Sequence, residues 1–110
     1  MIRPKPRLHL IKRKEEYDLI LKESGKLIVV YFFATWCGPC KKIAPYIEQL
    51  LSLYENLVFA KINIEDNLEL AESENVAALP TFHFYKDGVK LREMVGANNE
   101  HLKELIESFI

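Results

Sequence analysis

The chain has 110 residues, 49% of them hydrophobic and 28% charged, with a formal net charge of −1 and only two cysteines. That length suits one globular core, and so even a charge balance excludes nucleic-acid or membrane binding driven by bulk electrostatics. Its longest apolar run, Leu27 to Ala34, is far too short to span a bilayer.

The chain begins with a basic stretch, Arg3, Lys5, Arg7, Lys12, Arg13 and Lys14, with no acid before Glu15. We read residues 1–7 as a solvated basic arm and residues 8–110 as a single domain. No apolar core of the secretory kind follows the basic residues, and the Ser-rich character of a transit peptide is absent, so a cytoplasmic location is expected. Leu8, Leu10 and Ile11 suit a first strand. Tyr17, Leu19, Ile20 and Leu21 suit a short helix closed at Ser24-Gly25. The run Leu27 to Ala34 lacks alternation and is rich in β-branched and aromatic residues, as a strand buried on both faces requires.

The period then changes. Cys40, Ile43, Ala44, Ile47, Leu50, Leu51 and Tyr54 recur at helical steps, predicting a helix over about 39–54 with a kink at Pro45. Val58 to Ile64 reads as an interior strand, and Asp66 or Asn67 can cap a brief helix through Leu70 and Ala71. Thr81 to Tyr85 and Val89 to Val95 flank the turn Lys86-Asp87-Gly88, a hairpin that ends at Gly96. Asn98 or Asn99 then caps a last helix with Leu102, Leu105, Ile106, Phe109 and Ile110 along one face. The result is an α/β chain with a mixed sheet covered by helices on both faces.

Both cysteines lie in Trp36-Cys37-Gly38-Pro39-Cys40, where strand gives way to helix. Pro39 fits the first helical turn, and Gly38 is expected to let the backbone turn sharply without a side-chain clash. Free N–H groups and the helix dipole favour a thiolate at Cys37, and the three-residue spacing puts Cys40 beside it as a resolving thiol. Other readings fit less well. A bridge across two residues is a poor structural staple. One Cys-x-x-Cys supplies two of the four ligands of a zinc site, and His9, His83 and His101 have no paired spacing to complete it, so no metal is expected. A Cys–His hydrolase would depend on His83, without an orienting third group.

Taken with Ala34-Thr35 before it, Lys41 after it, Leu79-Pro80-Thr81, Lys86-Asp87-Gly88 and Val95-Gly96-Ala97-Asn98, this segment resembles the thioredoxins, of the cytosolic animal type, over residues 8 to 110. The resemblance implies a thioredoxin fold, with Pro80 a cis-proline facing the dithiol. It implies a substrate surface of Trp36, Leu79, Pro80, Thr81, Gly96 and Ala97, and support of the dithiol by Gly38, Pro39 and Lys61. The implied activity is protein-disulfide reduction in two steps: Cys37 attacks a disulfide, and Cys40 displaces the reduced product. The implied partners are a thioredoxin reductase drawing on NADPH and protein disulfides such as those of peroxiredoxins. No cofactor of the chain's own is implied, and no nucleotide-binding glycine motif is present. The chain departs from its relatives at Tyr31, where they carry an aspartate thought to deprotonate the resolving thiol. A phenol is a poor base near neutrality, so we expect slower deprotonation of Cys40 and Lys61 without its charged partner; the Tyr31 hydroxyl can still hold a water or a lysine, or Tyr31 can simply pack in the core with water serving instead. Gly38-Pro39 argues against the oxidising members of the wider group, which usually place His before the second cysteine. A pure scaffold role is disfavoured by the presence of both cysteines.

Overall fold

The computed structural model describes residues 7–110; apart from Arg7, the basic arm lies outside them. In chain order the elements are β1 (Leu8–Ile11), α1 (Lys14–Leu21), β2 (Leu27–Phe33), α2 (Gly38–Leu53), β3 (Leu57–Asn63), α3 (Leu68–Ser73), β4 (Thr81–Lys86), β5 (Val89–Val95) and α4 (Asn99–Phe109). The strands form one sheet in the order β1-β3-β2-β4-β5. β3 runs parallel to both β1 and β2, while β4 is antiparallel to β2 and β5 to β4.

β2 is central, and all but the last of its residues are buried. Because side chains alternate along a strand, it feeds two cores. Leu27, Val29 and Tyr31 join Phe59, Phe82, Phe84 and the inner faces of α2 and α4. Ile28, Val30 and Phe32 join Val58, Ile62, Tyr85 and residues of α1 and α3. The expected architecture is therefore present, with helices on both faces. Phe32, Phe59, Phe82 and Phe84 are fully buried, each contributing about 1.5–3 kcal/mol of transfer free energy. The two-residue disulfide loop adds little beside that.

Local differences from the sequence expectations have physical reasons. Leu19 is 69% exposed and Ile110 lies past the end of α4 at 40% exposure, so neither belongs to its helix's buried stripe. α2 runs from Gly38 to Leu53 with Pro45 inside it, the residue at which the kink is expected, and Pro45 has no N–H for the Lys41 carbonyl. Asn67 holds the N-cap position of α3, but its amide donates instead to the Asn63 carbonyl at 3.1 Å. Asn98 does cap α4, accepting from the His101 N–H at 3.0 Å. In the hairpin, Asp87 (φ 52°) and Gly88 (φ 79°) both adopt the left-handed conformation that a two-residue primed turn requires.

Arg7, counted above with the arm, is tied to the far end of α2. Its guanidinium donates to the carbonyls of Leu51 at 2.5 Å, Tyr54 at 2.7 Å and Leu57 at 3.2 Å. Helix ends leave carbonyls without intrahelical donors and carry partial negative charge, so a cation there is doubly favoured. Charge-assisted bonds contribute about 1.5–3 kcal/mol. We expect Arg7→Ala to lower unfolding free energy in urea by about 2 kcal/mol, with Arg7→Lys recovering only part because lysine lacks the planar fork.

His83 is 1% exposed, on the α1/α3 side of the sheet and away from the dithiol. Its Nε2 lies 3.5 Å from a Glu93 carboxylate oxygen, its ring meets Phe32 edge-on, and its Nδ1 has no hydrogen-bond partner among the described residues. A hydrolase using His83 is thereby excluded. Burial, reinforced by Lys90 and opposed by Glu93 and Glu74, holds its pKa below the ordinary 6.5. The unfolded chain then takes up a proton before the folded one does, so this contribution to stability is complete above pH 6.5 and is lost as pH falls toward the folded pKa. Urea unfolding should show a smaller loss of stability between pH 8 and pH 5 in His83→Leu than in the unaltered protein.

Candidate active site

The end of β2 and the start of α2 build the site. After Phe33 the chain turns through Ala34-Thr35-Trp36, and the Cys37 N–H donates to the Ala34 carbonyl at 3.2 Å. Cys37 is the N-cap of α2, with extended backbone, and its Sγ accepts from the Cys40 N–H at 3.2 Å. Cys40 follows one helical step later, and the two sulfurs are joined in a disulfide with their Cα atoms 5.3 Å apart. Cys37 is 5% and Cys40 2% exposed, whereas Trp36 is 66% exposed. Pro39 sits in the first helical turn, where an N–H is not needed.

Gly38 behaves differently from expectation. It is the first residue of the helix, its φ lies outside the left-handed region, and a Cβ built there meets nothing within 4 Å. Neither a positive φ nor a packed neighbour beyond Cys37 and Pro39 therefore calls for glycine there. What glycine leaves is open space over the dithiol.

A shallow groove runs beside Cys37, lined by Trp36, Gly38, Pro39 and Leu79, and also by Ile64, Val76, Ala77 and Ala78. The last four were missed in the sequence. The signal for three of them is the small apolar run Val76-Ala77-Ala78, which follows polar residues and fits no buried face. The Leu79–Pro80 peptide is cis, as the resemblance implied. Pro80, Thr81, Gly96 and Ala97 do not line this groove. Gly96, at φ 99°, donates to the Pro80 carbonyl at 2.9 Å, which brings the loop after β5 against the proline. Ala97 packs on the α2/α4 core, and Thr81 is buried with its hydroxyl donating to the Ala78 carbonyl at 2.6 Å.

On the core side of the dithiol stands Tyr31, 3% exposed and stacked on Phe33 and Phe82. Its hydroxyl holds neither a lysine nor a carboxylate. It donates to the Cys40 carbonyl at 3.0 Å, and burial pushes its pKa up to about 12. Lys61 has no ion pair among the described residues, and its ammonium lies 5.2 Å from the centre of the Phe33 ring, a cation–π contact. Tyr31, Cys40, Lys41, Ala44 and Lys61 line a second groove that opens to solvent. No group of three or more metal-ligating side chains occurs among the described residues.

Two sulfurs alternating between bonded and free, one capping a helix and one behind it, can exchange electrons with another disulfide. That arrangement defines a thiol–disulfide oxidoreductase. The thioredoxin family profile matches residues 9–108. The chain is 45% identical to the thioredoxin of Rattus norvegicus over 101 residues, covering 91% of this chain and 96% of that one. It is 40% identical to thioredoxin 1 of Plasmodium falciparum over 100 residues, covering 91% and 95%. Among solved structures, Fasciola hepatica thioredoxin superposes with a TM-score of 0.88 at 39% identity, covering 93% of this chain and 99% of that one. A chain from a study of thiol resolution in yeast mitochondrial 1-Cys peroxiredoxin via glutathione and thioredoxin systems superposes at 0.87 with 29% identity, covering 93% and 95%. The chain belongs to the thioredoxin family, and it reduces protein disulfides by dithiol–disulfide exchange through Cys37 and Cys40.

Since Gly38 occupies ordinary helical space, Gly38→Ala should keep the fold and equal or exceed the original stability, by up to about 0.5–1 kcal/mol in urea unfolding. A loss of more than that would restore a conformational need for glycine.

Proposed function

We propose that Cys37 is the attacking thiolate and Cys40 the resolving thiol of a general protein-disulfide reductase, recycled by an NADPH-dependent thioredoxin reductase. The observation that carries this assignment is the Cys40 N–H donating to the Cys37 Sγ at the N-cap of α2. The same donor, with the helix dipole behind it, stabilises negative charge on Cys37 once the disulfide opens. Among the described residues Cys40 has no such donor, and its proton leaves through the groove that Tyr31, Lys41 and Lys61 share with it. Tyr31 is neutral at physiological pH and already donating, so water is the acceptor.

The substrate surface, on this reading, is Trp36 with Gly38 and Pro39 on one side, and Leu79, Pro80, Thr81, Gly96 and Ala97 on the other. Among the described residues the Leu79 N–H and C=O have no hydrogen-bond partner within the chain, which supports pairing with an extended substrate segment. Thr81 contributes through its main chain, because its hydroxyl is occupied. Residues 8–110 form the redox domain and residues 1–7 its basic arm. Substrates include peroxiredoxin disulfides, a reading supported by the study of the yeast peroxiredoxin system among the structural matches. The compartment is the cytoplasm, supported by a lone dithiol without further cysteines. Among the described residues no helix is long and apolar enough to cross a membrane.

The test follows NADPH oxidation by a thioredoxin reductase in the presence of the protein and insulin. Turnover should be abolished in Cys37→Ser. Absence of turnover by the folded, unaltered protein would overturn the proposed reductase partnership.

A further inference from the structure

We infer that Tyr31 is a positioning residue for the second half of the exchange: its hydroxyl fastens the Cys40 main-chain carbonyl to β2, keeping the resolving sulfur in place while Cys37 carries the substrate. The inference rests on the proposed assignment of Cys37 as attacker and Cys40 as resolver.

Three observations converge on it. First, Tyr31 cannot swing. It lies in the central strand, paired with Lys61 of β3 and Phe82 of β4, and its ring is stacked on Phe33 at 5.4 Å and on Phe82 at 5.0 Å between centres. Second, the bond has one direction. A carbonyl offers no proton, so at 3.0 Å from the Cys40 oxygen the phenol must be the donor, and while it donates it cannot also act as a base. Third, the bond falls in the first turn of α2, whose N–H groups have no acceptor within the helix, so that this turn is tied in through its carbonyls. The regular helical pattern gives the Cys40 carbonyl the Ala44 N–H, and Tyr31 takes its second lone pair.

The chemistry needs such an anchor at one sulfur and not at the other. In the first step the Cys37 thiolate attacks a disulfide R–S–S–R, forming the Cys37–S–S–R bond and expelling RS⁻. In the second, Cys40 gives its proton to water and its sulfur attacks the Cys37 sulfur, forming the Cys37–Cys40 disulfide and expelling the second RS⁻. During the interval Cys37 is bonded to a substrate that can pull on it. Resolution is fast only if the Cys40 sulfur stays about 3–3.5 Å from its target, in line with the bond to be broken. A carbonyl tied to the centre of the sheet holds Cys40 there, whatever Cys37 does.

The experiment is a single turnover of the reduced protein with 5,5′-dithiobis(2-nitrobenzoate), each step releasing one nitrothiobenzoate. Cys40→Ser should release only the first, which assigns the second phase to Cys40. Tyr31→Phe, which keeps the ring stack and removes the hydroxyl, should leave the first phase within twofold. It should slow the second by roughly three- to tenfold, the value of one buried hydrogen bond. An unchanged second phase, or equal slowing of both, overturns the inference. In the reduced unaltered protein, the Tyr31 hydroxyl proton should remain protected from exchange by NMR; loss of that protection on reduction overturns the inference even if Tyr31→Phe does not fold. If instead the unaltered protein releases neither equivalent, the assignment of Cys37 as attacker fails, and the inference with it.

Discussion

The burial of β2 on both faces is the constraint from which the rest of the molecule follows. A strand with β3 on one side, β4 on the other and helices above and below cannot slip by one residue, because every side chain would move into the opposite core. That fixes where its carboxyl end emerges, and α2 starts there. In open α/β sheets the carboxyl ends of strands are where reactive groups and ligands meet. Here the position places a helix N-terminus, with its unpaired N–H groups, at the mouth of the sheet, and Cys37 caps it.

α2 is then held at both ends by groups outside it, one distant in the chain and one from the strand just before it. Arg7 neutralises carbonyls around its C-terminus, and Tyr31 takes a carbonyl of its first turn. Between them Pro45 removes one internal hydrogen bond, which makes outside support more valuable to this helix than to α4. α4 needs less: Asn98 caps its start, and Lys86 donates to the Phe109 carbonyl at its end at 2.8 Å.

Strong periodicity made most of this legible in advance. The double-faced run at Leu27, the helical spacing from Cys40 and the turn residues Asp87-Gly88 each specify one local answer. Legibility failed where a residue's role depends on something distant in the chain. Nothing local distinguishes Arg7 from the other basic residues around it, yet its guanidinium reaches the carbonyls at the end of α2. Tyr31 could be recognised as a replacement for an aspartate, but not its target, because the Cys40 carbonyl comes within reach only when α2 folds back over β2. Gly38 was misread for the opposite reason: glycine before proline suggests a strained turn, and the helix simply begins there. Val76, Ala77 and Ala78 became part of the groove only when the cis peptide at Leu79–Pro80 was set beside the dithiol.

The groove also bears on how such a protein can be general and still turn over. An indole 66% exposed gives folding little, which fits its proposed place on the substrate surface. Around it the lining is small and apolar, offering area but no shaped pocket. The main-chain groups of Leu79, unpaired among the described residues, offer on the proposed reading hydrogen bonds that any extended peptide can satisfy, whatever its side chains. Contacts of this kind sit at the low end of interface size, where complexes dissociate readily. Tight complementarity would raise affinity for one substrate and delay release of the reduced product. On the proposed reading, a shallow surface leaves selection to the disulfide itself: whether it lies on a segment that can reach Cys37, and whether its leaving thiol departs easily. If Cys40 is the resolving thiol, as proposed, holding it firmly is where precision serves every substrate, since the geometry of its attack on the Cys37 sulfur is set within this chain and only the leaving thiol differs between partners.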